Sequence, residues 1–521
     1  MEIRARSAFW LVAASAALLL LARLGSVPLL DPDEARFART TVEMVRGGNY
    51  VVPMFEGKPR LVKPPLLHWV QAPMFRYFGP SELGARLPSA LATLGSMLLL
   101  AWAARRRFGD EAAVWVAAIF LTMPLVFILG KAGTLDALLS VHVLAALCFD
   151  LGGAPADRAA RGAAIGALLG LAFLVKGPVG VVLPLLVMLA GRTACRRDVV
   201  PSLRGTLSAL AAWAAVVLPW GLVFLKSVGG GTAAGTIRHE ALERYFGGTA
   251  HIEPPWFYVQ IVLIGCLPWT GPLVSALVRL VRERNEEKSK TALYAGAGFV
   301  AGLIFFSLGK GKLPNYLLPL APLAAILVTW ELGQEMWEPR KRKVGSILVS
   351  ATLVILALFL GVARARSGHP ELGSVILAAS LVFATGAATA LAGVFAHRPR
   401  VTYGAGAATM ASFFAVALIG LPGVLTATNS AAALVKGTPQ LASRPVVLLD
   451  RELPSLTFYL DRVPEKLVSR DLPARLEKGD GALFVMSDKN YDDLPPEVTS
   501  RVREVNRVGR LVVFERANGP P

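Results

Sequence analysis

A polytopic α-helical membrane protein with a small α/β domain at its C-terminal end is the fold class that this sequence predicts. Of its 521 residues 54% are hydrophobic and 17% charged, whereas soluble domains carry about 25% charged residues. Apolar runs alternate with short polar loops, and about twenty apolar residues suffice to cross the hydrocarbon of a bilayer. Beyond residue 424 the charges become dense and balanced, and short β-rich runs replace the long apolar ones.

The first apolar run, Phe9–Leu21, follows Arg4 and Arg6 as the core of a signal peptide would. Ala22 to Pro28 after it lacks a small-x-small cleavage pattern, so an uncleaved first span is expected. Apolar runs set against turn residues predict roughly thirteen spans. They lie near 8–30, 87–104, 112–130, 134–150, 162–175, 177–191, 206–226, 257–278, 291–309, 314–332, 344–363, 372–396 and 401–423. With the N-terminus inside, the inner loops hold Arg105-Arg106-Arg107, Arg158 and Arg161, Arg192 with Arg196 and Arg197, Arg282 to Lys290, Arg340 to Lys343, and Arg398 with Arg400. The opposite loops hold only Lys131, Lys176, Lys310 with Lys312, and Arg364 with Arg366. That asymmetry fixes one orientation throughout. An odd number of spans then places the tail outside.

A membrane domain is thus expected over 1–423. It includes two long outer loops, 31–86 and 227–256. In the first, Ala35–Met44 and Leu66–Phe78 are apolar-periodic and read as helices lying at the interface. In the tail, 424–521, the runs Val446–Leu449, Ala482–Met486 and Leu511–Phe514 read as strands of an α/β domain. No internal repeat stands out.

The net charge of +18 would suit nucleic acid. Here the positive residues sit between apolar runs, which is the positive-inside distribution, and nucleic-acid binding is excluded on that ground. The three cysteines, Cys148, Cys195 and Cys266, fall in or beside apolar segments with no metal spacing and offer no pair for an external disulfide.

Candidate chemistry gathers at the outer ends of the spans. In Asp31-Pro32-Asp33-Glu34-Ala35-Arg36-Phe37-Ala38 three carboxylates fall within four positions at a membrane surface, where desolvation is costly. Asp31 as N-cap with Pro32 at the first position would open a helix. Its first turn then holds Asp33 and Glu34 as candidate catalytic acids, with Arg36 one turn on. Pro64 and Pro65 hold Lys63 just ahead of a second helix, a point charge suited to phosphate or to headgroup anchoring. Asp136 sits at the outer end of an apolar span, either functional or a helix–helix polar contact. Lys310-Gly311-Lys312 with Tyr316 lies at another outer end, able to hold a lipid phosphate or to anchor the interface. Lys176 is a further outer basic turn, and Arg238-His239-Glu240 with His251 are metal ligands or plain loop groups, the latter reading being favoured. Together these acids and cations suit a site that handles an anionic lipid and deprotonates a hydroxyl.

In these motifs the chain resembles the lipid A aminoarabinose transferases and the wider protein-mannosyltransferase-like group of GT-C glycosyltransferases. Pro32–Ala38 matches P-D-E-x-R-F/Y-A. Val51-Val52-Pro53, Gly57-Lys58-Pro59 and Lys63–Leu66 match V-V-P, G-x-P and K-P-P-L, and Ala85–Ala90 matches A-R-L-P-S-A. Lys176–Pro178 matches K-G-P, His251–Tyr258 with Leu267-Pro268-Trp269 matches the outer-loop pattern, and Lys312–Pro319 matches K-L-P-x-Y-I/L-L-P. Leu453–Leu460 in the tail is also similar to the group. The likeness implies a GT-C fold in a bacterial inner membrane, about thirteen spans, a periplasmic α/β tail and an undecaprenyl-phosphate-linked donor. It implies Asp33 as base or organiser for the acceptor, Asp136 as second acid, and Lys63, Arg36 and Tyr316 on the donor phosphate, with Lys312 and Lys310 nearby. No cofactor is implied. The aminoarabinose transferases carry Glu directly before the K-P-P lysine, as part of a structural zinc site; here Val62 stands there, so a metal is left unassigned. Phe37 stands where Tyr is common.

The expectation is therefore an inverting glycosyltransferase moving a sugar from polyprenyl phosphate to a periplasmic-face acceptor such as lipid A, the lipid of lipopolysaccharide. The same chemistry on a protein or another glycan is an alternative. A transporter or flippase of lipid-linked substrates is the alternative of another class. Transporters show inverted repeats and spans interrupted near the midplane, and this sequence displays neither.

Overall fold

A computed structural model describes residues 2–152, 158–198, 202–232, 235, 251–283, 289–340, 342–366, 370–428 and 431–517. Apolar length builds the bundle. Its helices in chain order are α1 (Glu2–Leu21), α2 (Asp33–Gly47), α3 (Leu66–Phe78), α4 (Glu82–Phe108), α5 (Asp110–Leu121), α6 (Pro124–Gly130), α7 (Asp136–Gly152), α8 (Arg158–Lys176), α9 (Val179–Ala194) and α10 (Leu203–Val228). There follow α11 (Phe257–Gly265), α12 (Thr270–Arg282), α13 (Lys290–Leu308), α14 (Ala321–Trp337), α15 (Val344–Arg366), α16 (Pro370–Phe395) and α17 (Pro399–Thr428). Among the described residues, eight helices are long and apolar enough to cross a membrane, or up to ten if each of two bent pairs counts as one span. The other three expected spans coincide with α1, α7 and α9, whose apolar or helical stretches stop short of eighteen residues. Ten of the thirteen expected spans thus meet that length and composition, two of them as bent pairs, and the other three form as shorter helices.

The bends also correct the expectation of uninterrupted spans. Met123-Pro124 breaks 112–130 into α5 and α6 at 71°, and the turn through Pro268 breaks 257–278 into α11 and α12 at 115°. Proline lacks the N–H that would continue the helical ladder. The two breaks meet, since the buried Trp269 indole donates to Thr122 Oγ1 at 3.0 Å. An indole and a hydroxyl satisfy each other there, with no charged group added. The first expected span, 8–30, is helical only to Leu21.

Close packing elsewhere relies on small residues. Gly162, Gly166 and Gly170 form a stripe on α8 against α10, and a Cβ on Gly166 would stand 2.0 Å from the Ala209 carbonyl oxygen. The backbones thus touch, as small residues permit between membrane helices.

Both helices expected at the interface form where the apolar period places them. α2 carries Asp33 and Glu34 in its first turn and ends at Gly48 in the left-handed region (φ 67°), where glycine is unstrained. Its N-cap, however, is Pro32 without a side-chain cap. Asp31 instead accepts from the Ser455 backbone N–H at 2.8 Å and from its hydroxyl. Between α2 and α3 a short hairpin, β1 (Met54–Phe55) and β2 (Lys58–Pro59), folds over α2.

The tail forms α18 (Ala431–Gly437), α19 (Pro454–Leu460) and a mixed sheet of β3 (Val446–Leu449), β4 (Glu465–Leu467), β5 (Leu483–Ser487), β6 (Val502–Val508) and β7 (Leu511–Arg516) in the order β4-β3-β5-β7-β6. Alternate residues feed two cores, Val446, Leu448 and Val485 on one face and Val447, Leu449 and Phe484 on the other, as the two-residue strand period requires. α19 docks on α2: Phe458 packs with Ala35, Ala38, Val42 and Phe75, and Asp461 accepts from Arg39 at 3.1 Å and Arg46 at 2.6 Å. Those guanidinium groups hold the Asp461 carboxyl below its ordinary range, with the Arg46 hydrogen bond leading.

Candidate active site

Where the N-terminal ends of α2 and α7 and the C-terminal end of α8 meet the hairpin and the tail, a cavity of about 740 Å³ opens. Asp33, Arg36, Lys63, Asp136, Lys176 and Tyr316 all line it. The helix ends explain the convergence. Asp136 begins α7 and Lys176 ends α8, and these packed neighbours run antiparallel, so both side chains emerge at the same end of the bundle.

The two acids have different surroundings. Asp136 is 1% exposed. It accepts from Lys176 Nζ at 2.5 Å and from Asn315 Nδ2 at 2.6 Å, and Lys176 in turn lies 4.3 Å from the Tyr316 ring centre. A carboxylate so committed positions its partners. Asp33 is 43% exposed and has Arg36 3.7 Å away, one turn along the same helix. It keeps lone pairs for an incoming hydroxyl. Arg36 also donates to Glu452 of the tail at 3.1 Å. The lining carries six basic and four acidic side chains, a surplus of positive charge suited to an anionic group.

Three of the expected residues stand apart from the lining. Glu34 is buried beneath α2, where Arg86 Nε and Nη2 donate to it at 2.7 Å and the N–H groups of Gly133 and Leu30 complete its shell. Arg86 spends its remaining donors on the carbonyls of Leu24, Val27 and Pro28. Glu34 thus ties α2 to α4 and the α6–α7 loop. Lys312 is 4% exposed and donates to the Glu253 carbonyl at 2.7 Å, pinning the segment that leads into α11. Lys310 is exposed and outside the cavity.

The structure adds residues that the sequence reading passed over. Lys58 and Arg60 arrive on the hairpin, with the Arg60 guanidinium 4.9 Å above the Phe37 ring, so that the residue replacing tyrosine supports a cation. Glu452 and Lys466 come from the tail, Lys466 pairing with Glu56 at 2.5 Å. The G-K-P-R run was the available signal for the hairpin; nothing local marks the tail residues. Against the ring of the lining residue Phe37, His68 is buried, Nδ1 paired with Thr41 Oγ1 at 2.8 Å, and burial together with Arg60 pushes its pKa down to about 3.

Among the described residues no three His, Cys, Asp or Glu side chains cluster as metal ligands, and Val62 in the cavity wall has no donor atom. Arg238-His239-Glu240 lies outside the described residues. His251 is exposed, and its backbone carbonyl accepts from Lys312 N–H at 3.0 Å.

Residues 62–220 match the family model for dolichyl-phosphate-mannose-protein mannosyltransferases. The undecaprenyl phosphate-alpha-4-amino-4-deoxy-L-arabinose arabinosyl transferase of Enterobacter sp. is 32% identical over 389 residues, covering 70% of this chain and 68% of that one. The chain belongs to this transferase family. The Edwardsiella ictaluri transferase of the same name is 33% identical, covering 67% of this chain and 65% of its own length. ArnT from Cupriavidus metallidurans, solved bound to undecaprenyl phosphate, superposes with a TM-score of 0.80 at 25% identity, covering 98% of this chain and 99% of that one. The chain is accordingly a polytopic membrane glycosyltransferase of GT-C type with a C-terminal sheet domain. Such a transferase needs cations for a leaving phosphate and a base for an acceptor, and the cavity offers both types of group.

Proposed function

We propose that this transferase moves a sugar from undecaprenyl phosphate to an acceptor at the periplasmic face of a bacterial inner membrane, lipid A being the leading acceptor class. The observation that carries the reading is a single cavity in which a partly exposed carboxylate, Asp33, faces a surplus of cations at one end of the bundle. The relatives' names and the undecaprenyl phosphate held by the Cupriavidus protein supply the donor class. The basic loops around Arg105–Arg107 and Arg340 lie at the helix ends remote from the cavity, which favours a cytoplasmic N-terminus and a periplasmic tail.

In this reading Arg36, Lys63, Lys176 and Tyr316 receive the donor phosphate and stabilise the charge that builds on it as the anomeric C–O bond breaks. Asp33 takes the proton of the attacking acceptor oxygen. Asp136 holds Lys176 and Asn315 in place. A single displacement inverts the anomeric carbon. Incubating purified protein with a panel of undecaprenyl-phosphate sugars and lipid A, with mass spectrometry of the products, tests the reading. A lipid A adduct of one sugar is expected. Absence of transfer from every donor would remove the proposal.

A further inference from the structure

We propose that Glu452 of the tail is an anionic placeholder in the phosphate subsite, holding Arg36 in the empty enzyme and giving it up to the donor phosphate. The inference rests on the donor reading above. One Arg36 guanidinium meets two carboxylates, Asp33 at 3.7 Å and Glu452 at 3.1 Å. A phosphate entering the same guanidinium would be a third anion, and like charges crowded on one cation repel. The two carboxylates differ in what holds them. Asp33 is fixed to Arg36 by their shared helix, three residues apart. Glu452 stands in the loop between β3 and α19 with 63% of its side chain exposed, so it is the one that can swing into water. The tail itself stays docked meanwhile, through Asp31 to Ser455 and Arg46 to Asp461, neither of which involves the cavity lining.

The consequence is a coupling between the soluble domain and donor affinity. An exposed ion pair is worth about 0.2–1 kcal/mol, so its removal should tighten anion binding about 1.4- to 5-fold. The test measures dissociation constants of undecaprenyl phosphate and of inorganic phosphate for the full-length protein, as wild type, Glu452→Gln, Arg36→Gln and the double variant. Glu452→Gln should bind both probes more tightly than wild type, and the gain should vanish in the Arg36→Gln background, because the two residues act on one another. Asp461→Asn, which loosens the same domain away from the cavity, should leave both constants unchanged. Equal or weaker binding by Glu452→Gln overturns the inference, as does a gain that survives Arg36→Gln or is copied by Asp461→Asn. A wild type that binds no undecaprenyl phosphate removes the donor reading itself, and this inference with it.

Discussion

At Asp33 and Glu34 two neighbouring carboxylates, set about 100° apart around a helix, meet opposite environments. Glu34 turns inward to Arg86, Asp33 outward to the cavity. Breaking a buried pair costs about 3–5 kcal/mol because the partner is left uncompensated. Glu34→Ala should therefore lower the thermal midpoint in detergent sharply, whereas Asp33→Asn should leave it in place; equal melting of the two would refute this division. Lys63 carries a separate expectation. A charged hydrogen bond to phosphate is worth about 1.5–3 kcal/mol, so Lys63→Ala should raise the donor KM about tenfold or more, measured at saturating acceptor. The acid loop, Lys63, Asp136 and Tyr316 were legible in the sequence because charge beside apolar runs is conspicuous. Which of two adjacent acids faces inward was not, since it depends on Arg86, 52 residues away. Lys312 misled for a similar reason, its partner being a carbonyl in another loop.

Among elements, α8 and α10 show how little tolerance the bundle has. Gly166→Leu would drive a side chain into the Ala209 carbonyl, and the expected result is loss of folded protein from membranes while a leucine at the unobstructed Gly221 on α10 is accepted; fluorescence-detected size exclusion decides. α3 is expected to respond to pH. His68 has a folded pKa pushed down to about 3 by burial and then by Arg60. The unfolded chain takes up a proton below about 6.5 and the folded one does not, so stability is lost as pH falls from about 6.5 toward 3, about 2 kcal/mol of it by pH 5. Melting curves between pH 7 and 5 should show this slope in wild type and a shallower one in His68→Gln. Long apolar helices and the strands near 446, 483 and 511 were readable because burial leaves periodic marks. The breaks at Met123-Pro124 and Leu267-Pro268 were hidden, as apolar residues continue across both. β4 and β6 were hidden by their exposed, charged faces.

For the whole molecule, the candidate cavity is shared by two parts of the chain. The bundle supplies the helix ends, and the tail supplies Glu452, Val463, Pro464 and Lys466 as a wall. Deleting 431–521 should leave a bundle that still inserts, because its apolar core is its own, yet one without transfer activity; membrane fractionation and the transfer assay read these separately. That wall was invisible in the sequence, lying some four hundred residues from the acid loop. The proposed role of Asp33 as base of one headgroup site is decided by the turnover of purified Asp33→Asn with undecaprenyl-phosphate sugar, beside its binding of undecaprenyl phosphate. Turnover reduced at least about a hundredfold, with carrier binding retained, is the predicted result. Turnover close to wild type would contradict it.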